Sequence, residues 1–258
     1  MSRLIWIFPL LILTSLNLYA EAVFRVASPQ DTYPPFFVQN KDGQITGTAI
    51  DPLVQALQKL NITLQVAPLP TLRGEISFED GGVHANFRSK AWVRDPERYL
   101  WFDLGVWFED VLIYRDDLPN PPKSLNDLHD SEIITHLGYV YPALESAFQE
   151  KRVVRLDRLS ERQMINALFQ APVASQRMLL INKHVWDWYK QDMLLPDVPI
   201  HQSSFLVGCT KLELQLKKTP EMEQLLSQLQ QVFRKQTKVA GPSPCQAKAD
   251  LHLAEKAQ

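Results

Sequence analysis

The chain has 258 residues, of which 27 are basic and 29 acidic, so its formal net charge is −2 at pH 7. This balance, without a basic stripe, argues against nucleic acid as a partner. Apolar residues make up 45% of the chain, as in ordinary globular proteins, and the length suffices for one large domain or two smaller lobes.

The first 22 residues have the three parts of a secretory signal peptide. Arg3 is the only charge before the largely apolar run from Leu4 to Leu13, and small residues close the segment at Ala20-Glu21-Ala22. We therefore predict a signal peptide over residues 1–22 and an exported mature protein. The alternative is an uncleaved membrane anchor, for which the run is short, since a span needs about 20 apolar residues.

The next segment alternates between strands and a helix. Segments rich in β-formers at 23–27 and 62–66 predict two strands, and apolar residues at helical spacing from Ile50 to Leu60 predict a helix between them. A proline-rich loop, Tyr33–Phe37, follows the first strand. Strand, helix and strand at this spacing predict a βαβ unit and hence a parallel sheet.

The middle of the chain predicts a second α/β unit. Strand-like stretches at 101–102 and 111–114 lead to residues 116–122, whose prolines mark a boundary. Beyond this boundary the pattern alternates again between strands and helices. The predicted strands are 132–136, 153–156 and 178–181, and the predicted helices are 124–128, 138–148 and 160–169.

The C-terminal part is predicted to return to the first unit. A strand at 204–209 crosses back, and a helix begins at Pro220 with an apolar stripe that favours core packing over partner binding. Residues 241–258 are polar and rich in alanine, and we expect a mobile tail there.

Two cysteines, Cys209 and Cys245, are the only ones in the chain. In an oxidising compartment such a pair predicts a disulfide that ties the tail to a strand, and the alternative is two unpaired thiols. The six histidines are scattered without the spacing of metal ligands, so we expect neither a metal nor another cofactor.

Five short motifs follow one another along the chain. They are Tyr33-Pro34-Pro35-Phe36, Gly43-x-x-x-Gly47 with Ile50-Asp51-Pro52-Leu53, Asp95-Pro96-Glu97-Arg98 before Trp101-Phe102, Ser124-Leu125-x-Asp127-Leu128, and Leu137-Gly138-Tyr139-x-Tyr141-Pro142. In this order they resemble the periplasmic solute-binding proteins of family 3, which serve the uptake of polar amino acids by ABC transporters. The resemblance covers nearly the whole chain after residue 22.

The resemblance implies an α/β protein with a two-lobed, periplasmic-binding-protein-like (type II) fold, in which mixed sheets are flanked by helices and two hinge strands join the lobes. Lobe 1 then comprises residues 23–113 plus 207–240, and lobe 2 comprises residues 114–206. A ligand binds in the cleft and the lobes close around it. The resemblance also implies a periplasmic monomer whose partner is the membrane permease of an ABC transporter, or a receptor.

One arginine is expected to hold the ligand. In the family, the arginine at the fourth position of the motif that Asp95–Arg98 matches holds the ligand's carboxylate. A guanidinium can do so because it forms two parallel hydrogen bonds with a carboxylate. Arg98 is therefore the leading candidate, and Arg94 and Arg88 are alternatives if the alignment is shifted. The competing interpretation of Arg98 is a surface salt bridge. Asp95 stands where the family usually has threonine, which brings a like charge near the carboxylate.

Further candidates for the cleft are aromatic residues and a glycine. They are Tyr33, Phe36, Trp92, Gly138, Tyr139 and Tyr141. Aromatic rings cover apolar ligand surface or stack on a cation, with core packing as the alternative. The last three lie at a predicted helix start, where free N–H groups bind an anionic group.

A departure from the family occurs at Asn182. Amino-acid binders usually carry an aspartate at this strand end, where it pairs with the ligand's ammonium group. Asparagine carries no negative charge. The resemblance therefore assigns no residue to pair with the ammonium group of a zwitterionic ligand.

The leading hypothesis is a protein that captures a small polar, carboxylate-bearing ligand, such as an amino acid, for an ABC transporter, without catalysis. One alternative is a degenerate module that serves in sensing or protein interaction. The other is a dehydratase-like enzyme on the same fold, for which Glu145 and Asp103 are available carboxylates.

Overall fold

The computed structural model describes residues 22–236 and Cys245. Residues 1–21 of the predicted signal peptide, and the predicted tail apart from Cys245, lie outside the described residues. The described strands are β1 (Ala22–Pro29), β2 (Val38–Gln39), β3 (Ile45–Thr46), β4 (Ile62–Leu69), β5 (Ala85–Arg88), β6 (Tyr99–Arg115), β7 (Glu132–His136), β8 (Val154–Arg158), β9 (Arg177–Asn182), β10 (Ile200–Gln202) and β11 (Gly208–Lys217).

The described helices pack on these strands. They are α1 (Asp51–Gln58), α2 (Thr71–Glu79), α3 (Glu145–Gln149), α4 (Glu161–Phe169), α5 (Lys183–Asp192) and α6 (Pro220–Gln236), with 3₁₀ turns at Lys90–Trp92, Pro96–Arg98 and Leu125–Leu128. None of these helices is long and apolar enough to cross a membrane.

Nine strands form one mixed sheet in the order β4-β1-β5-β11-β6-β9-β7-β8, with β10 added beside β6. β1 is parallel to β4 and β5, and β7 is parallel to β8 and β9. The two longest strands, β6 and β11, run antiparallel to each other and link the two parallel groups. The parallel sheet expected from the first βαβ unit is confirmed.

The long strand β6 contains both of the short strands predicted at 101–102 and 111–114. The pairing with β11 shifts between Leu212 and Glu213, which leaves Leu104 and Gly105 bulged out of the ladder. Gly105 has a φ of +71° there and donates its N–H to Asp103 Oδ1 at 2.8 Å. Because a bulge breaks the alternation of side chains, the sequence pattern hid the continuity of the strand.

The predicted strand at 204–209 is wrong over most of its length, since β11 begins at Gly208. Ser203 is the reason, because its hydroxyl accepts the N–H of Leu112 at 3.1 Å and donates to the carbonyl of Phe205 at 2.8 Å. These bonds turn the chain beside β6 instead of extending it. Helices α2 and α5 and strands β2, β3, β5 and β10 were not predicted.

Other predictions agree closely with the structure. The predicted strand at 132–136 is β7, and the helix predicted from Pro220 is α6. The expected pairing of cysteines is also confirmed, since Cys209 of β11 and Cys245 form a disulfide with their Cα atoms 5.8 Å apart.

Candidate ligand-binding site

A cavity of about 150 Å³ lies where the carboxyl ends of the two parallel strand groups meet. Pro29 and Arg88 end β1 and β5 on one side, while His136 and Asn182 end β7 and β9 on the other, and all four line the cavity. In open α/β sheets ligands bind outside the carboxyl ends of the strands, where the backbone leaves a crevice. The cavity is therefore the candidate site.

The proline-rich loop after β1 forms one wall. Tyr33 N–H donates to the carbonyl of Phe37 at 2.7 Å, and Phe37 N–H donates back to Tyr33 at 3.0 Å, so the loop is closed on itself. Tyr33 and Phe37 line the cavity. Phe36 instead packs behind the wall, with its ring 4.5 Å from that of Phe108, as the core-packing alternative expected.

Gly47 packs closely against the backbone of this loop. Its φ is +125°, and a Cβ built on it would lie 2.5 Å from the carbonyl oxygen of Phe36. We expect Gly47→Ala to lower the free energy of unfolding in urea by about 2 kcal/mol. Gly43→Ala is the control, since Gly43 is also left-handed (φ +79°) but a Cβ there meets nothing nearer than 3.9 Å. Equal losses in the two variants would contradict a role for the close approach to Phe36.

Arg98 and Arg94 do not reach the cavity, which corrects their expected placement. Both are exposed, and the guanidinium of Arg98 lies over the Tyr99 ring at 5.6 Å. The reason is the direction of β6, which begins at Tyr99 and reaches the cavity only at Phe108 and Asp110. At about 3.3 Å per residue, the start of the strand lies roughly 30 Å from its cavity end.

Arg88 is the arginine that lines the cavity. Its side chain is 15% exposed and forms an ion pair with Glu75 of α2 through Nη1. Nη2 donates to the carbonyl of Trp92 at 3.4 Å, whereas Nε is buried and has no hydrogen-bond partner among the described residues. The side of the guanidinium formed by Nε and Nη2 is thus the less occupied one.

The opposite wall is the turn after β7. Gly138 adopts a φ of +82°, and the Tyr139 ring stacks on His136 with the ring centres 4.0 Å apart. His136 N–H donates to the Tyr141 hydroxyl at 3.1 Å, and Arg155 donates to the carbonyls of His136 and Tyr139 at 3.2 and 3.0 Å. Helix α3 begins only at Glu145. This segment is therefore a turn held by the hydrogen bonds above, and not the helix start that the sequence predicted.

Two carboxyl groups complete the lining. Glu161 opens α4, is 4% exposed, and lies with Oε1 3.8 Å from Nε2 of His136. Asp110 lies on β6 opposite Asn182 of β9, and its carboxyl has no hydrogen-bond or salt-bridge partner among the described residues. Burial raises the pKa of the Glu161 carboxyl and raises that of Asp110 to about 7.

Asn182 caps the helix that follows it. Its Oδ1 accepts the N–H groups of His184 and Val185 at 3.0 and 3.4 Å, while Nδ2 is buried without a partner among the described residues. Asn182 lines the cavity, and its contact with a ligand stays a prediction.

Six of the nine expected ligand-binding residues line the cavity. They are Tyr33, Trp92, Gly138, Tyr139, Tyr141 and Asn182. Sequence reasoning missed Asp110 and Glu161, although the adjacent carboxylates Glu109 and Asp110, inside the otherwise apolar run Val106–Tyr114, are a signal that could have identified Asp110.

No known protein-family profile and no curated protein sequence matches the chain. Solved structures do match the chain. Arginine-bound truncated ArgBP from T. maritima matches with a TM-score of 0.64 at 16% identity, over 84% of this chain and 97% of that one. The putative L-cystine ABC transporter from Listeria monocytogenes matches with a TM-score of 0.63 at 14% identity, over 83% and 89% of the two chains. This chain has the two-lobed, periplasmic-binding-protein-like fold.

A third match with this fold is the ancestral amino acid-binding protein AncCDT-1, described as a precursor of cyclohexadienyl dehydratase. It has a TM-score of 0.63 at 18% identity, over 83% of this chain and 90% of that one. At such identities the similarity establishes the fold alone.

Proposed function

We propose that this protein is a solute-binding protein that captures a small carboxylate-bearing ligand, such as an amino acid, for an ABC transporter. Its mature form is exported to the periplasm after loss of residues 1–22. Lobe 1 comprises residues 23–113 plus 207–240, and lobe 2 comprises residues 114–206. The amino-acid-binding proteins among the structural matches support this role.

The observation that supports the proposal most strongly is the incomplete hydrogen bonding of the Arg88 guanidinium. A largely buried guanidinium lines the cavity, and Glu75 engages only one of its nitrogens by an ion pair. The buried Nε lacks a partner, and an unpaired buried donor is costly unless a ligand satisfies it. A carboxylate that bridges Nε and Nη2 would make the paired hydrogen bonds that arginine favours.

The ligand would also join the two walls of the cavity. Across the cleft, Tyr33 and Tyr139 meet edge to face with their ring centres 6.2 Å apart. A ligand held between Arg88 on one wall and the turn at Gly138 on the other stabilises the closed arrangement of the lobes. Binding and closure need no covalent chemistry.

A dehydratase-like enzyme is the second candidate. Two carboxyl groups with raised pKa, that of Asp110 and that of the buried Glu161, line the same cavity, as general acids and bases do. One structural match is described as a dehydratase precursor. Conversion of a bound ligand, followed by mass spectrometry, would replace the binding proposal with this one.

Thermal unfolding with a panel of ligands tests the binding function. The panel contains the proteinogenic L-amino acids together with propionate, succinate and glutarate, which lack the amino group of alanine, aspartate and glutamate. We expect at least one carboxylate to raise the melting temperature, since a ligand at 100 times its Kd adds about 2.7 kcal/mol of stability. Calorimetry then gives the affinity.

The variant Arg88→Gln is expected to bind that carboxylate at least about tenfold more weakly, because a charge-assisted hydrogen bond contributes about 1.5–3 kcal/mol. Arg98→Gln is the matched control, since its guanidinium is exposed and lies far from the cavity. A panel without any response in the wild-type protein would favour the sensing or interaction module. Unchanged affinity in Arg88→Gln would refute the role of this arginine.

A further inference from the structure

A second, smaller cavity of about 50 Å³ adjoins the candidate site, between the first turn of α2 and the ends of β1 and β5. Four residues line both cavities, namely Pro29, Thr71, Phe87 and Arg88. We propose that the smaller cavity receives a second acidic group of the ligand, a carboxylate or a phosphate, so that the protein selects small dianions over monoanions. This inference rests on the proposed function, because Arg88 holds the first acidic group.

The size of the smaller cavity fits one group and not a whole ligand. By the same measure of volume a single water molecule needs about 10–15 Å³. A cavity of about 50 Å³ therefore has room for a few water molecules or for the head of one acidic group. The remainder of a bound ligand would lie in the larger cavity.

The start of α2 supplies hydrogen-bond donors to this place. The first backbone bond of the helix runs from the N–H of Gly74 to the carbonyl of Pro70 at 2.9 Å, and Pro70 has no side chain that caps the helix. The N–H groups of Thr71, Leu72 and Arg73 have no hydrogen-bond partner among the described residues. An uncapped helix start carries free donors and a partial positive charge, both of which favour an anion.

A buried amide on the sheet is an independent sign of a missing partner. Asn86 of β5 is 8% exposed, lines the smaller cavity, and its side chain has no hydrogen bond with any described residue. Its Oδ1 lies 3.9 Å from the place that a Cβ on Gly74 would take, so the amide is on the side of the sheet that α2 covers. Buried amides are normally hydrogen-bonded, and an acidic group in the cavity would accept the bond that Nδ2 can donate.

The charges around the two cavities place the second acidic group in the smaller one. Among the described residues that line the smaller cavity, Arg88 is the one with a charged side chain. The larger cavity, by contrast, is lined by the carboxyl groups of Glu75, Asp110 and Glu161, which repel an anion. Glu75 is also the carboxylate that pairs with Nη1 of Arg88, and it does not line the smaller cavity.

A compact ligand reaches both places, because Arg88 lines both cavities. One acidic group would lie on the guanidinium, and the other would lie between the first turn of α2 and Asn86. A neutral amide in place of the second acidic group would lose the attraction of the helix start and of the guanidinium.

The test compares ligands that differ only in whether the second group is acidic. The pairs are aspartate and asparagine, glutamate and glutamine, succinate and succinamate, and O-phospho-L-serine and L-serine, and inorganic phosphate is tested alone. Calorimetry and melting-temperature shifts give the affinities.

Two variants alter the smaller cavity in different ways. Gly74→Ala places a methyl group in its wall at ordinary distances, 3.5 Å from Ala27 Cβ and 3.9 Å from Asn86 Oδ1, and alanine favours the helix, so the variant should fold. Asn86→Asp keeps the shape of the side chain and adds a negative charge. Asn126→Asp is the matched control, because Asn126 is exposed and lines neither cavity.

We expect wild-type protein to bind the acidic member of at least one pair about tenfold or more tightly than its neutral partner, since charged hydrogen bonds are the stronger ones. Gly74→Ala and Asn86→Asp should lose most of this preference, while their affinity for the neutral member stays within about twofold of the wild type. Arg88→Gln should instead weaken both members, and Asn126→Asp should behave as the wild type. The melting curve of each variant without ligand verifies that it folds.

Equal affinity of wild-type protein for both members of every pair would overturn this inference and leave the carboxylate-binding function in place. A preference for the acidic member that survives in both Gly74→Ala and Asn86→Asp would also overturn it, as would the absence of any response to the acidic members and to phosphate. Stabilisation by phosphate that Asn86→Asp abolishes, with no response to any carboxylate, would support the smaller cavity as an anion site and refute the carboxylate-binding function.

Discussion

The variant Asp110→Asn is expected to be more stable than the wild-type protein above pH 7, in the absence of ligand, by up to about 4 kcal/mol. Burial raises the pKa of this carboxyl from 3.8 to about 7. The folded protein therefore pays to ionise Asp110, while the neutral amide of asparagine carries no such cost. The side chains have nearly the same shape, so the packing against Gly208 changes little.

The sign of the pH dependence follows from proton binding. Well below pH 3.8 the carboxyl is protonated in both folded and unfolded chains and costs nothing. As the pH rises from about 4 to 7 the unfolded chain releases its proton while the folded protein retains it, so the wild type loses stability with increasing pH. Above pH 7 the full cost is present. The stability gained by Asp110→Asn should therefore grow from near zero well below pH 4 to a plateau above pH 7.

Urea unfolding of both proteins across this pH range measures the difference. The Glu161 carboxyl, whose pKa is also raised, titrates in both proteins, so its contribution largely cancels. The phenols of Tyr33 and Tyr141 have raised pKa values and stay neutral over the range. Asp95→Asn is the control, since Asp95 is exposed and does not line the cavity. A difference that is independent of pH would show that Asp110 ionises as freely in the folded protein as in the unfolded chain.

Removal of the disulfide is expected to cost about 4 kcal/mol of stability. Cys209 and Cys245 are 36 positions apart, and closing a loop of this length restricts the unfolded chain strongly. The bond also holds Cys245 against β11, beside the position where Glu109 of β6 pairs with Cys209. The double variant Cys209→Ser/Cys245→Ser should therefore unfold at a clearly lower urea concentration than the oxidised wild type.

Reduced wild-type protein is the control for the serine hydroxyls. It should lose the same amount of stability as the double variant, because both lack only the covalent link. A loss below about 1 kcal/mol in both would mean that the loop closed by the disulfide is already ordered in the unfolded chain.

Local patterns in the sequence were sufficient for part of this structure. A short run with β-branched residues identified β7 to the residue, and the apolar stripe after Pro220 identified α6. Two cysteines in a chain with a predicted signal peptide indicated their own pairing. The motifs around Tyr33 and Gly138 also predicted two segments that line the cavity. In each case neighbouring residues carry the signal, so no knowledge of distant contacts was needed.

The identity of the charged residues in the cavity depended on tertiary structure. Arg88 and Arg98 are ten positions apart, yet one ends β5 at the cavity and the other precedes the far end of β6. Asp110 lies beside Asn182 only because β6 pairs with β9 in one particular register. Register between distant strands is set by the packing of both partners and by the bulge at Gly105, and no local pattern specifies it. The sequence by itself therefore determined part of the secondary structure and most of the aromatic wall, whereas the pairing of distant strands decided which charges face the cavity.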